Sequence, residues 1–259
     1  MSGRRAGPRC VASFVAGVGA LLIVGCGGRL LVPFNAHRPA LMEDAAPRRE
    51  ATLPELERLL ADRASVGSYR ALVTLAVESA DGSASVRGTV AFTAPKTFVV
   101  RGLDPLGRDL FALTAEGEDV RLEGDGPAIV GAEAIDAGLA RWLGTVRVAD
   151  VLRVLGASHG VVVDPLDVVA LERGEDRYAL YFLVVDGGRA RFERKVLLER
   201  TRFLPVSEEW FDAKGSGRFR VRFDRYAEVA GAWRPLSVTA SSGAGTLRVE
   251  YQEIIPASR

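Results

Sequence analysis

Thiols are scarce in this chain of 259 residues: it has two cysteines, Cys10 and Cys26, both near its start. Everything beyond residue 26 therefore has no disulfide, no thiol nucleophile and no cysteine ligand for a metal. Histidine is equally sparse. His37 stands in a proline-bearing stretch, and His159 directly follows Ser158. Neighbouring residues on a strand point to opposite faces, so this pair suggests no Ser–His relay. An excess of one charge is also missing, with 34 Lys and Arg against 33 Asp and Glu. That balance argues against a nucleic-acid partner, which would call for a clear basic surplus. Lysine is confined to Lys96, Lys195 and Lys214, an arginine bias that fits a GC-rich genome. The glycine-bounded triplets at 124–126 and 215–217 are not followed by a helix in the required context and read as turns, not phosphate loops. Acidic neighbours such as Glu208-Glu209 and Glu116 with Glu118 are expected on turns or solvated strand faces. The expectation is a protein that is not an enzyme, with no metal and no cofactor.

What is present begins with one continuous apolar run over residues 11–24, preceded by Arg4, Arg5 and Arg9. It is short for a bilayer span, which needs about 20 residues, and a basic flank before a short apolar core is the pattern of an export signal. The run ends in Leu22-Ile23-Val24-Gly25-Cys26, which resembles the lipobox of bacterial lipoproteins. That resemblance implies cleavage after residue 25 and acylation of Cys26, a covalent lipid that holds the chain on a membrane essentially permanently. Gly27 follows, where Asp is the residue associated with inner-membrane retention, so the resemblance points to the outer membrane, facing the periplasm. Loss of the three signal arginines takes the formal charge from +1 to −2. The expected organisation is a signal over 1–25, an acylated cysteine and tether over 26–51 containing Pro33, Pro39 and Pro47, and one folded domain over 52–259.

Thr52-Leu53-Pro54-Glu55 fits a capping box with proline in the first turn, and Leu56, Leu59 and Leu60 supply a helical face. From Tyr69 onward the period changes to two. Val73, Leu75 and Val77 alternate with Thr74 and Glu78, and Val90 and Phe92 continue the pattern after a turn at Asp81-Gly82. Further strands follow at short spacing, separated by Gly, Asp and Pro turns. Helical spacing returns in Ile135, Leu139, Trp142 and Leu143, and again in Val148, Val151, Leu152 and Leu155. The second half is strands again: residues 161–171 and 178–185 are nearly all apolar, as expected where both faces are covered. Phe192, Val196 and Leu198 read as one face of a strand, with Arg194 breaking the row. Phe219, Val221 and Phe223 alternate with Arg218, Arg220 and Arg222. The sum is a mainly β, α+β domain: a strongly curved antiparallel sheet of about 10 or 11 strands, an unclosed barrel with helices capping its open side. Its inward face would be either a filled core or a greasy hollow. Candidates for that lining are Val73, Leu75, Val90, Phe92, Phe182, Phe192, Phe219, Val221 and Phe223, with Trp142 from the helical region.

At Leu103-Asp104-Pro105-Leu106-Gly107-Arg108 the chain resembles the LolA/LolB lipoprotein-localisation proteins, and LolB-like outer-membrane receptors in particular. The alternating strand at 109–114, the turn at 116–120, the Trp-bearing stretch at 132–144, and Tyr226, Gly231, Trp233 and Pro235 fit the same outline. The second half departs from it, being longer and richer in arginine. The resemblance implies a monomeric half-barrel that binds acyl chains and accepts or inserts acylated lipoproteins or lipid at the outer membrane. It also implies a soluble LolA-like carrier as partner. It assigns the protruding turn of Pro105, Leu106 and Gly107 to membrane insertion, whereas on the residues alone Leu106 either protrudes or folds back on the sheet edge. The competing reading is a structural or accessory lipoprotein that binds another envelope protein through its sheet surface.

Overall fold

The computed structural model describes residues 48–64, 67–93, 97–156, 168–186, 188–229 and 231–256. The export signal, the Cys26 lipidation site, the tether up to residue 47, His159 and the first part of the apolar stretch at 161–171 lie outside the described residues. Helix α1 (Leu53–Ala64) starts as its sequence dictates: the Glu55 carboxylate accepts both the N–H and the hydroxyl of Thr52, at 2.7 Å each. Leu56 and Leu60, one turn apart, are fully buried. Arg63 in the last turn donates to the carbonyls of Phe203 and Arg202, at 2.6 and 2.7 Å.

Thirteen antiparallel strands form one curved, unclosed sheet among the described residues. They are β1 (Tyr69–Ser79), β2 (Gly82–Thr93), β3 (Thr97–Leu103), β4 (Asp109–Glu116), β5 (Asp119–Gly124) and β6 (Ile129–Val130). After the helices come β7 (Val168–Arg173), β8 (Arg177–Asp186), β9 (Arg189–Glu199), β10 (Pro205–Phe211), β11 (Gly217–Val229), β12 (Ala232–Ser241) and β13 (Gly245–Pro256). The order β6-β5-β4-β3-β2-β1-β13-β12-β11-β10-β9-β8-β7 is two meanders joined where the first strand pairs with the last. The count exceeds the expected 10 or 11. The two-residue β6 shows no alternation, and prolines blur the pattern in β10 and β12. Pro235 fits because the β12–β13 ladder begins only at Ser237, so its missing N–H breaks no bond to β13.

Helices α2 (Ala132–Leu143) and α3 (Val148–Gly156) lie in the larger of two apolar clusters, packed with residues of β1–β5 and β10–β13. The smaller cluster packs α1 against β8 and β9, through Leu56, Leu60, Tyr178, Leu180, Phe182, Val196 and Leu198. The expected row of Phe192, Val196 and Leu198 is broken by a β-bulge. Phe182 pairs with Arg194 but Leu183 pairs with Phe192, so Glu193 is the extra residue. Because side chains alternate with a period of two, one extra residue moves Phe192 to the opposite face. There it is 50% exposed, beside the Tyr181 ring, while Arg194, in step with Val196 and Leu198, stays inside at 5%. Strand β8 is not covered on both faces along its whole length, since Val185 near its end is 60% exposed while Ala179 on the same face is buried. Phe182→Ala is expected to cost about 3–5 kcal/mol as a buried aromatic, and Phe192→Ala less than about 0.5 kcal/mol. Urea unfolding of both variants checks this; equal losses would contradict the bulge.

Candidate functional site

The site is built outward from α3, which is tied at both ends. Asp150 in its first turn accepts two bonds from the Arg218 guanidinium, at 2.5 and 2.9 Å, and one from the Arg147 N–H at 2.9 Å. Asp136 of α2 accepts the Val148 N–H at 2.6 Å, so two carboxylates serve the orphan donors of this helix start. At the other end the hydroxyls of Tyr69 on β1 and Tyr251 on β13 both donate to the Leu155 carbonyl, at 2.9 and 3.0 Å. Burial pushes the Tyr251 hydroxyl well above its ordinary value, which keeps it a donor at neutral pH.

Bonds tie α2 to the sheet at both ends: the Gly131 N–H at its start reaches the Val120 carbonyl of β5 at 2.8 Å, and further contacts gather at its C-terminal end. There the Ser242 hydroxyl donates to the Leu143 carbonyl at 2.7 Å, and Arg141 pairs with Asp81 at 3.1 Å. The backbone comes so close to β13 that a Cβ on Gly245 would stand 2.2 Å from the Trp142 carbonyl. The N-terminal end has Gly131 as its cap residue, at φ 95°, with no side-chain capping bond. Between α2 and the sheet lies an apolar cleft of about 70 Å³, lined by Val77, Leu122, Ile129, Ile135, Gly138, Leu139, Trp142 and Leu143. Ligand pockets usually measure about 300–1,000 Å³, so the cleft is the mouth of a site and not an open one.

Val73, Val90, Phe92, Trp142, Phe219, Val221 and Phe223 are all buried in the larger cluster, with Leu75 packed against it. They form a wall that α2 and α3 already cover. Phe182 sits in the separate α1 cluster, and Phe192 lies outside both. Of the residues lining the cleft, Trp142 alone is among the lining candidates that the sequence offers. The helical period of Ile135 and Leu139 was visible, but their placement over Leu122 and Ile129 is set by tertiary packing alone.

The turn at 104–108 is held by its own polar groups. The Asp104 carboxylate accepts the Leu106 N–H at 2.8 Å, the Arg108 N–H at 2.9 Å and the Arg108 guanidinium at 2.7 Å. These bonds, the Arg108 N–H first among them, hold its carboxyl below the usual range. Gly107 adopts φ 82°, which a side chain would resist. Leu106 is left 79% exposed at the tip, flanked by exposed Pro105 and Gly107. Residues 48–51 enter at the opposite end of the strands, where Arg48 pairs with Asp176 and the Arg49 N–H reaches the Arg200 carbonyl at 2.8 Å.

Glu208, expected on a solvated surface, is only 5% exposed. The alternation of β10 turns Glu208 and Trp210 inward and Glu209 outward. Glu208 pairs with Val196 in the ladder, which makes buried Arg194 its diagonal neighbour on β9. Arg194 lies over the rings of Phe182 at 3.9 Å and Trp210 at 5.0 Å, and Arg153 of α3 over Trp210 at 4.3 Å. This charged seam separates the two apolar clusters. Burial pushes the Glu208 carboxyl up, against the pull of Arg194 and Arg153.

No family model matches the sequence, and no curated protein matches it. Solved structures share the fold. A LolA superfamily protein from Nitrosomonas europaea is 14% identical, with TM-score 0.55, covering 78% of this chain and 94% of that one. A domain described as an outer membrane lipoprotein-sorting protein from Vibrio parahaemolyticus is 12% identical, with TM-score 0.57, covering 79% and 92%. A DUF1329 family protein from Desulfovibrio piger is 9% identical, with TM-score 0.59, covering 78% and 90%.

The buried carboxyl predicts a pH dependence. A raised folded-state value means that the folded protein holds this proton more tightly than the unfolded chain does. Its contribution is then full below the ordinary value of 4.5 and is lost as pH rises through the folded-state value. Glu208→Gln removes that dependence, so the stability of wild type relative to the variant falls as pH climbs above about 4.5. Denaturation midpoints across this range check the sign, and a rising difference would contradict it.

Proposed function

We propose that this protein, whose fold is that of LolA superfamily structures, binds acyl chains of lipid or lipoprotein beneath helix α2, and does so without covalent chemistry. The observation that carries this reading is the apolar cleft between α2 and the sheet, bounded by β1 and by the edge at β5 and β6. Displacement of α2 from the sheet enlarges the cleft, and α3 keeps its own ties to Arg218, Tyr69 and Tyr251. Lipid-tail binding of this kind is dominated by apolar burial, roughly 0.8 kcal/mol per methylene.

Leu106 fits the same reading as the point of membrane contact. A rigid turn presents it, and its own hydrogen bonds leave its backbone few unsatisfied polar groups. The chain enters the domain at the other end of the strands. Fully extended, residues 27–48 reach at most about 75 Å, against about 40 Å for a 12-residue strand. A lipid on Cys26 therefore does not prevent Leu106 from meeting the same membrane. On this reading the chain is a LolB-like receptor at the outer membrane that takes cargo from a soluble carrier.

Liposome-anchored protein is expected to accept an acylated lipoprotein from a LolA-like carrier. Leu106→Glu should lower that transfer while leaving the binding of a fluorescent fatty acid intact. Gly138→Leu, which fills open space in the cleft, should lower fatty-acid binding. If wild type neither accepts cargo nor binds the fatty acid, the reading fails and a structural lipoprotein is favoured.

A further inference from the structure

The sheet has a second face, turned away from α2 and α3, and it is not uniform. Across β8–β13 the twist that makes any sheet saddle-shaped leaves a polar concavity of about 840 Å³ on this face. Its cations outnumber its acids. Arg220 is paired with Glu209 at 2.9 Å, and Arg225 with Glu250, while Asp224 accepts the Arg225 N–H. Arg177, Lys195, Arg222 and Arg248 line it with no carboxylate partner among the described residues.

An exposed apolar strip adjoins this concavity. The bulge that carries Phe192 outward sets it opposite Leu183, with Val185 paired to Ala190 next along and Tyr181 to Lys195 on the other side. Phe192 is 50% and Val185 60% exposed, and the rings of Phe192 and Tyr181 lie 5.8 Å apart. Lys195 joins the two regions, lining the concavity with its ammonium 5.0 Å from the Tyr181 ring. The nearby acids of the strip are Glu193, the bulge residue, and Glu172, which accepts the Tyr181 hydroxyl. Unpaired cations beside exposed aromatic and aliphatic side chains have the chemistry of an anionic lipid surface: the cations meet phosphates and the apolar groups meet the acyl boundary. An acidic protein would use the charge but leave Phe192 and Val185 without a partner.

From this juxtaposition we infer that the outer face of β8–β13 is a docking surface for anionic phospholipid membrane, separate from the acyl-binding cleft and from Leu106. Each Lys or Arg near such a surface contributes appreciably, so reversing two of them should cut binding by roughly tenfold or more.

The test uses the full chain anchored in vesicles of phosphatidylcholine alone and counts labelled acceptor vesicles that it captures. Acceptors containing phosphatidylglycerol should be captured and neutral acceptors not. Arg222→Glu with Arg248→Glu should abolish capture, Phe192→Ser should weaken it, and Arg222→Lys with Arg248→Lys should retain it. Near-UV circular dichroism verifies that each variant is folded. Equal capture of neutral acceptors, or capture unchanged by charge reversal, overturns the inference. Capture lost in Leu106→Glu but kept in the charge-reversed variant also overturns it, while leaving the cleft reading untouched.

Discussion

Strands β1 and β13 come from opposite ends of the folded chain, and their ladder runs from Tyr69 paired with Pro256 to Ser79 paired with Gly245. Without it the two meanders would be separate sheets, each with one more open edge. Closing so long a loop costs entropy before any contact offsets it, which the full length of both strands and their buried face then do. The same two strands supply Tyr69 and Tyr251, whose hydroxyls converge on one carbonyl of α3. The strand pairing that unites the sheet thus also fixes the helix at its centre.

Fixing α3 decides what is left for α2. Its C-terminal end is pressed on β13 at Gly245 and bonded to Ser242, and its first half lies over β5 and the two-residue β6, with the Gly131 N–H on the Val120 carbonyl. The apolar cleft opens between α2 and this edge. A larger cavity at the centre would require the removal of α3, whose Val148, Val154 and Leu155 are almost fully buried.

Much of the architecture was legible in the sequence. Alternation located the strands around Val73, Val90 and Phe219, the spacing of Leu56 and Leu60 located α1, and the turn residues at 104–108 anticipated a tight turn. Charge balance and sparse thiols carried no positional information. What alternation could not supply was anything dependent on a neighbour. A single extra residue at Glu193 turned Phe192 away from the inner face that Arg194, Val196 and Leu198 share. Glu208 looked solvated beside Glu209 because two adjacent acids do not reveal which of them faces inward. Val73, Val90, Phe92, Val221 and Phe223 share an apolar face in the sequence pattern, and the packing of α2 and α3 buries them in the larger cluster. The cleft escaped notice because Leu122 and Ile129 meet Ile135 and Leu139 only once the edge strands have folded beneath α2.

The central claim, that acyl chains enter beneath α2 at the β5–β6 edge, is tested most directly by photo-crosslinking. The full protein would be irradiated with a fatty acid carrying a diazirine at its tail, and the labelled peptides mapped. The account predicts labels on residues 120–143, concentrated near Leu122, Ile135 and Leu139 and lost on competition with unlabelled fatty acid. Labels confined to the outer face of the sheet, or spread without saturation, would contradict it.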